Sequence, residues 1–250
     1  MALELVKLEL LRIGGARQST AALRYDPKRP RGIWLVAGHG YSSSKQNLDF
    51  LCYFLASHGY GVTSLDFPGH KLGASGGRLE SIDDLFDAMG AVVAHTRDTY
   101  GGPIYVMGHS MGAMTALFVA AADPAVAGTI SIATGFGRPS ALNELREKGV
   151  NDFRSAYVDG LALPDLVRGA DERFERALPK LAGRPQLYVA AERDAMVSRR
   201  SVEELYKRAP DPKTLRTVAS DHTYAAENSR SEILQWLNER HPQKQGAWRP

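Results

Sequence analysis

The stretch "GHSMG", residues 108–112, places Ser110 between two glycines, a spacing typical of a nucleophilic serine at a sharp turn. A serine hydroxyl attacks a carbonyl carbon only with help: a base takes its proton, an acid orients that base, and N–H donors stabilise the oxyanion. The turn strains the serine backbone, and flanking glycines remove the Cβ atoms that would collide there. The sequence therefore predicts acyl-transfer chemistry at Ser110.

Two polar residues downstream stand where the base and its orienting acid are required. Asp194 ends the stretch "LYVAAERD", and His222 ends the stretch "LRTVASDH". Both follow strand-type runs, and the chain order serine, acid, histidine is the order that a nucleophile at a strand-to-helix turn requires. We therefore predict that His222 is the general base and Asp194 the acid. Glu192, two residues earlier, is the alternative acid.

The oxyanion needs backbone N–H groups that are fixed in place before the reaction. Met111 directly follows the serine and supplies one of them at the start of a helix-type run. The second is expected in the loop after the strand-type run "IWLVAG", where a His-Gly pair turns the chain back and Tyr41 offers its N–H. We interpret His39 and His109, which flank the site in sequence, as residues that fix their loops through hydrogen bonds.

The elements that must position these residues follow from the hydrophobic pattern. The first run, residues 3–11, alternates apolar and charged residues and pairs with residues 19–25 in a predicted antiparallel edge. Further strand-type runs are "IWLVAG", "GVTSLD", "PIYV", "VAGTISIAT", "PQLYVAA" and "KTLRTVAS". Helix-type runs separate them, including "MTALFVAAA" and "YAAENSRSEILQWLNER". This alternation predicts an α/β fold with a mostly parallel central sheet flanked by helices.

The alternation stops between residues 135 and 183, where the segments are helical and interrupted by prolines. We predict a small helical cap insertion at residues 135–183 over a core made of residues 1–134 and 184–250. Apolar side chains of the cap either pack it onto the core or line a channel for an acyl or aromatic group. They are Phe136, Leu142, Phe153, Tyr157, Leu161, Leu163, Leu166 and Phe174.

The composition excludes several classes of protein. The net charge of +3 is too small to argue for nucleic acid or a membrane surface as partner. Cys52 is the single cysteine, so no intrachain disulfide forms, and its apolar neighbours favour a buried structural thiol. The N-terminus lacks a signal-peptide pattern and no run is long enough to span a membrane, so we expect a cytoplasmic protein without stable membrane insertion. No metal or cofactor is expected, and a homodimer stays open.

Five motifs together carry a resemblance to a known superfamily: "GHGYSSSK", "SLDFPGHKLGAS", "GHSMG", "AERDAMV" and "ASDHTY". The chain resembles the α/β-hydrolases, in particular the group of monoacylglycerol lipases, bacterial carboxylesterases and cinnamoyl (feruloyl) esterases. The resemblance implies the α/β-hydrolase fold, the catalytic triad Ser110, Asp194 and His222, and the oxyanion pair Tyr41 and Met111. The sequence departs from the family at Lys71, in "PGHK" where the family usually has "PGHG".

The predicted function is a serine hydrolase that cleaves carboxylic esters through an acyl-enzyme intermediate. The short cap favours small to medium acyl chains. A thioesterase, an amide-cleaving hydrolase or a monoacylglycerol lipase with the same triad is the alternative, because these enzymes share the acyl-transfer machinery. A non-catalytic binding protein on this scaffold would be expected to lack a triad residue. Haloalkane dehalogenases and epoxide hydrolases use an aspartate where this chain has Ser110.

Overall fold

An eight-stranded sheet lies at the centre of the computed structural model, which describes residues 5–137 and 153–242. The spatial order is β1-β2-β4-β3-β5-β6-β7-β8. The strands are β1 (Val6–Gly14), β2 (Ser19–Pro27), β3 (Trp34–Gly38), β4 (Gly61–Leu65), β5 (Ile104–His109), β6 (Gly128–Ile132), β7 (Gln186–Ala191) and β8 (Lys213–Val218). β2 pairs antiparallel with β1 and β4, and all other pairs are parallel. The predicted mostly parallel sheet with an antiparallel edge is confirmed.

Helices cover both faces of this sheet. They are α1 (Asp49–Ser57), α2 (Ile82–Tyr100), α3 (Met111–Ala122), α4 (Leu163–Leu166), α5 (Ala170–Ala177), α6 (Arg199–Arg208), α7 (Ala225–Asn228) and α8 (Arg230–Arg240). Residues of α2, α3, α5 and α6 share one buried apolar cluster, and residues of α1 and α8 share the other. The sheet therefore separates two cores, one on each face.

The central strands are buried along their whole length, which explains why their sequences are continuous apolar runs rather than alternating ones. Every residue of β3, β4, β6 and β7 is buried. β1 at the edge does not follow the burial that its alternating sequence predicts: Val6 and Ile13 are buried, but Leu8 is 48% exposed and Leu10 77% exposed. The single helix predicted at residues 224–240 is wrong in one detail: two helices, α7 and α8, meet at Ser229. The Ser229 hydroxyl donates a hydrogen bond to the Ala226 carbonyl there.

The predicted cap falls partly outside the described residues, since residues 138–152, including Leu142, are not described. Within 153–183, the side chains of Leu163, Leu166 and Phe174 are buried in the core cluster that contains α3. Phe153 is 74% exposed and Tyr157 43% exposed. The apolar residues of the cap thus divide into a packing set and an exposed set.

Cys52 lies on α1 and is fully buried, so the predicted structural thiol is confirmed. Burial raises the pKa of the Cys52 thiol, because the thiolate is disfavoured away from water. None of the helices within the described residues is long and apolar enough to cross a membrane.

Candidate active site

Ser110 occupies the sharp turn between β5, which ends at His109, and α3, which begins at Met111. Its backbone has φ +54° and ψ −112°, a conformation that non-glycine residues rarely adopt. The Ser110 N–H donates to the Ile132 carbonyl of the neighbouring strand at 2.8 Å, and the residue is 5% exposed. Strain of this kind persists only where the surrounding structure enforces it, and here β5, β6 and α3 enforce it together.

The two glycines beside Ser110 allow the turn to close. A Cβ built on Gly108 would lie 2.3 Å from the carbonyl carbon of Gly112, and one built on Gly112 would lie 2.0 Å from the Gly38 oxygen. Both distances are far below van der Waals contact, and both involve backbone atoms that cannot move aside. The predicted steric reason for the glycines is confirmed.

Asp194 follows β7 and His222 follows β8, and the structure brings the two side chains together. The Nδ1–H of His222 donates to Oδ2 of Asp194 at 2.7 Å. Oδ1 of Asp194 accepts the backbone N–H groups of Met196 and Val197, at 2.8 and 2.7 Å. The alternative acid Glu192 is exposed. With Nδ1 donating, Nε2 of His222 is the ring nitrogen that can accept a proton.

Burial and hydrogen bonding act in opposite directions on the Asp194 carboxyl. Burial favours the neutral acid, but the hydrogen bond and charge of His222 and the two backbone N–H donors outweigh it. Together they hold the pKa of Asp194 below its usual range. The carboxylate therefore stays ionised at neutral pH and can stabilise a positively charged imidazole.

His109 connects the turn at Ser110 with the loop of His222. Its Nε2–H donates to the His222 carbonyl at 2.8 Å, and the two rings lie 4.6 Å apart between centroids. Since a carbonyl oxygen only accepts, Nε2 of His109 carries the proton in this contact. The predicted loop-fixing role of His109 is confirmed, and the bond holds the His222 loop beside the turn at Ser110.

The two predicted oxyanion donors flank Ser110. Met111 is the first residue of α3, where backbone N–H groups have no partner within the helix. The loop after β3 passes close to the serine, because a Cβ built on Gly40 would lie 3.5 Å from Cβ of Ser110. Tyr41 follows Gly40 directly, so its N–H belongs to the same part of the loop that approaches Ser110. The catalytic roles of these residues, and of the triad, stay predictions.

His39 fixes the loop that carries Tyr41, as predicted. Its Nδ1–H donates to the Gly40 carbonyl at 2.8 Å, and its Nε2 accepts the Phe67 N–H at 3.0 Å. This pattern requires a neutral ring, because the protonated ring could not accept. Burial, with a smaller repulsion from His70, lowers the pKa of His39 to about 3.

The neutral His39 makes stability depend on pH. The unfolded chain protonates this imidazole near pH 6.5, whereas the folded chain resists protonation down to about pH 3. The stabilisation that depends on neutral His39 is therefore fully present above pH 6.5 and is lost as the pH falls toward 3. Between pH 7 and pH 5, protonation of His39 in the unfolded chain should lower the unfolding free energy of the wild type by about 2 kcal/mol. We expect His39→Gln to lack this contribution, as measured by urea unfolding at the two pH values.

The control for this measurement is His58→Gln, since the His58 side chain is exposed whereas that of His39 is fully buried. Its pH dependence should follow that of the wild type. Equal pH dependence in His39→Gln and the wild type would show that His39 does not stay neutral in the fold.

A buried ion pair between the segments that follow β3 and β4 was not predicted from the sequence. Nζ of Lys45 lies 2.5 Å from Oδ2 of Asp66, and the two residues are 2% and 0% exposed. The backbone N–H groups of Lys45 and Ala74 each donate to the carboxylate at 2.8 Å. Burial opposes ionisation, but these bonds keep the pKa of Asp66 below its usual range. The position of Asp66, directly after a buried strand at the edge where the site lies, was the available signal.

The Lys45–Asp66 pair ties together the loops after β3 and β4, one of which carries Tyr41.

Within the described ranges, no group of three or more His, Cys, Asp or Glu side chains is arranged to hold a metal ion. What the site offers is therefore a serine at a strained turn, an oriented histidine, an ionised carboxylate and a fixed backbone loop. These are the components of nucleophilic acyl transfer.

Several solved structures resemble this fold. Est1E from Butyrivibrio proteoclasticus, solved with ferulic acid bound, has a TM-score of 0.75 at 19% identity, covering 93% of this chain and 100% of that chain. The Pyrococcus furiosus esterase Pf2001 has a TM-score of 0.71 at 20% identity, covering 94% and 93%. A cold-adapted esterase from an Arctic intertidal metagenomic library has a TM-score of 0.69 at 17% identity, covering 96% of both. No curated protein matches.

Residues 28–163, more than half of the chain, match the family model Hydrolase_4, described as serine aminopeptidase, S33. The matched range contains Tyr41, Ser110 and Met111 and ends within the predicted cap. The solved structures show the same fold over nearly the whole chain. The α/β-hydrolase fold that the resemblance of its motifs implies is confirmed. The chain belongs to the serine aminopeptidase S33 family and is a hydrolase.

Proposed function

We propose that this protein is a carboxylic ester hydrolase that acts on small to medium acyl chains through a covalent acyl-enzyme. The observation that carries the proposal is the 2.7 Å bond between His222 and Asp194, which the contacts of His109 hold near the strained turn of Ser110. An oriented imidazole next to a serine in this conformation is what activates a hydroxyl toward a carbonyl. The names of two fold neighbours add support, since Pf2001 and the cold-adapted Arctic protein are both described as esterases.

In the proposed reaction, Oγ of Ser110 attacks the ester carbonyl while Nε2 of His222 takes the hydroxyl proton. The carbonyl oxygen becomes an oxyanion that the N–H groups of Tyr41 and Met111 stabilise. When the carbon–oxygen bond to the alcohol breaks, His222 gives the proton to the leaving oxygen. Water then attacks the acyl-enzyme with His222 again as base, and the acid leaves with Ser110 regenerated.

Asp194 contributes in two ways without losing or gaining a proton itself. Its bond to Nδ1 keeps the ring in the tautomer that leaves Nε2 as acceptor. Its charge stabilises the imidazolium that forms as the serine is deprotonated, and the lowered pKa keeps that charge in place.

The packing of the described cap supports the chain-length part of the proposal. Leu163, Leu166 and Phe174 are buried against the core, so their apolar surface is not available to an acyl chain. A long alkyl chain needs a correspondingly long apolar lining to be removed from water. The described cap offers less of that surface than its sequence suggests, which favours shorter acyl groups.

Amide cleavage is the second candidate, because the family description names aminopeptidases. Thioester cleavage and monoacylglycerol hydrolysis use the same triad and remain alternatives. They differ from the proposal in the leaving group or acyl chain rather than in the residues at Ser110. The cytoplasmic location and a homodimer stay predictions.

The test is a comparison of kcat/KM on p-nitrophenyl esters from acetate to palmitate, matched thioesters, and amino-acid p-nitroanilides. We expect ester hydrolysis to exceed the other two classes and to peak between butyrate and octanoate. Protein pretreated with a fluorophosphonate, which esterifies an activated serine, serves as the blank. Higher kcat/KM on the anilides would favour an aminopeptidase, and a maximum at palmitate would contradict the proposed chain length.

A further inference from the structure

A short segment of the cap, residues 157–161, lies across the loops that follow β3 and β4; we call it the strap. Backbone hydrogen bonds join the strap to the loop after β4 on both of its sides. They run from Lys71 N–H to the Tyr157 carbonyl at 3.0 Å, from Asp159 N–H to Gly69 at 2.8 Å, from Leu79 N–H to Asp159 at 2.9 Å and from Leu161 N–H to Leu79 at 2.8 Å. The strap is therefore fixed to the loop after β4.

Lys71, the departure from the family pattern, adds side-chain contacts to the same junction. Its Nζ lies 3.2 Å from the Asp159 carboxylate and donates to the Ala156 carbonyl at 3.0 Å. Both side chains of the ion pair are half exposed, so the pair itself adds little stability. Asp159 therefore supplies a counter-charge to the lysine at this position.

Tyr41 connects the strap to the loop after β3, whose backbone carries the predicted oxyanion donor. Its hydroxyl donates to the Leu161 carbonyl at 2.9 Å and lies 3.4 Å from the Ser155 hydroxyl. The side chain is buried, and its ring packs edge-on against His70, with centroids 5.8 Å apart. The ring is thus held at its tip by the strap and along its side by the loop after β4.

We propose that the strap positions the backbone N–H of Tyr41 for the oxyanion, and that the Tyr41 hydroxyl is the link through which it does so. In this inference, which rests on the proposed function, Tyr41 acts twice: its backbone stabilises the oxyanion and its side chain is a positioning group. The backbone of Tyr41 is tied on its other side by His39 and Gly40. Anchors on both sides leave the peptide one orientation, and preorganised donors are worth most when they need not move.

The direct test is Tyr41→Phe, which keeps the ring and the backbone and removes only the hydroxyl. Loss of one oxyanion donor costs roughly a hundredfold or more in kcat, so a loosened donor should cost about tenfold. We expect kcat to fall by about that factor with KM nearly unchanged. Affinity for a trifluoromethyl ketone, which forms an oxyanion on the serine, should fall by the same factor. Tyr53→Phe, at a half-exposed tyrosine on α1, is the matched control and should change neither quantity.

A second variant tests the strap without touching Tyr41. Gly160 has φ +131°, and a Cβ there would lie 2.0 Å from the Leu79 carbonyl oxygen, so Gly160→Ala must displace the strap. We expect the same pattern of lowered kcat with nearly unchanged KM. Because both variants break one link, the double variant should lose no more than the larger single loss.

The outcomes separate this inference from the proposed function. An active wild type with full kcat and ketone affinity in Tyr41→Phe overturns the positioning role and leaves the esterase proposal intact. Lowered kcat with unchanged ketone affinity also overturns it, since the oxyanion site would then be undisturbed. A wild type that hydrolyses no ester overturns the proposed function and this inference with it. If Gly160→Ala fails to fold, as judged by circular dichroism, Tyr41→Phe alone decides.

Discussion

Ser110→Ala is expected to lower kcat on p-nitrophenyl esters by at least about a thousandfold, because no other group in the site can form the acyl-enzyme. Alanine keeps the Cβ that serine already places in the strained turn, so the fold should be retained. What activity remains should come from substrate binding and the oxyanion donors alone. Steady-state kinetics measures the loss of kcat, and a thermal unfolding curve on the same preparation shows whether the fold is retained.

Ser131→Ala is the matched control for this prediction. Ser131 is 1% exposed on β6, pairs in register with Gly108, and has a hydroxyl without a hydrogen-bond partner among the described residues. Its removal should leave kcat unchanged. Since catalytic residues act as a unit, adding His222→Ala to Ser110→Ala should cause no large further loss. Comparable ester hydrolysis by Ser110→Ala and the wild type would exclude Ser110 as nucleophile.

The second large effect is expected in stability, at the Lys45–Asp66 pair. Asp66→Asn keeps the shape of the side chain but leaves the buried Lys45 ammonium without its counter-charge. Breaking a buried pair in this way costs about 3–5 kcal/mol of unfolding free energy. For a chain of this size that corresponds to a fall in Tm of roughly 10 °C. Urea unfolding and differential scanning calorimetry provide the measurements.

Two comparisons isolate the buried charge as the cause. Lys45→Met added to Asp66→Asn removes the uncompensated ammonium and should recover part of the lost free energy. Asp165→Asn breaks an exposed pair with Arg168 and should leave Tm unchanged. A double variant less stable than Asp66→Asn alone would mean that the loss comes from the backbone hydrogen bonds of the carboxylate instead.

The parts of the site that could be predicted from sequence are those encoded locally. The turn at Ser110 could be predicted from five consecutive residues, since the strand, the glycines and the helix all adjoin Ser110. Asp194 and His222 could be proposed because each lies a few residues beyond the end of a strand-type run. The sequence favours Asp194 but leaves Glu192 as an alternative, because both residues lie near the end of the same strand; the structure places Asp194 against His222.

The parts that could not be predicted depend on contacts between distant segments. Lys45 and Asp66 are 21 residues apart, and neither residue type is usually buried, so composition argues against the pair. Tyr41 and Leu161 are 120 residues apart, and their contact involves a backbone carbonyl that no side-chain pattern marks. The sheet could be predicted because strand-type runs are local signals, while the strap depends on how two loops meet.

The burial of Cys52 has a practical consequence for the experiments above. A single cysteine that is fully buried, with a raised pKa, does not react with maleimides while the protein is folded. A cysteine introduced at exposed Tyr157 and another at exposed Tyr224 would therefore be the only labelled positions, without any background substitution. Spin labels attached there would report the distance between the strap and the loop of His222 during turnover.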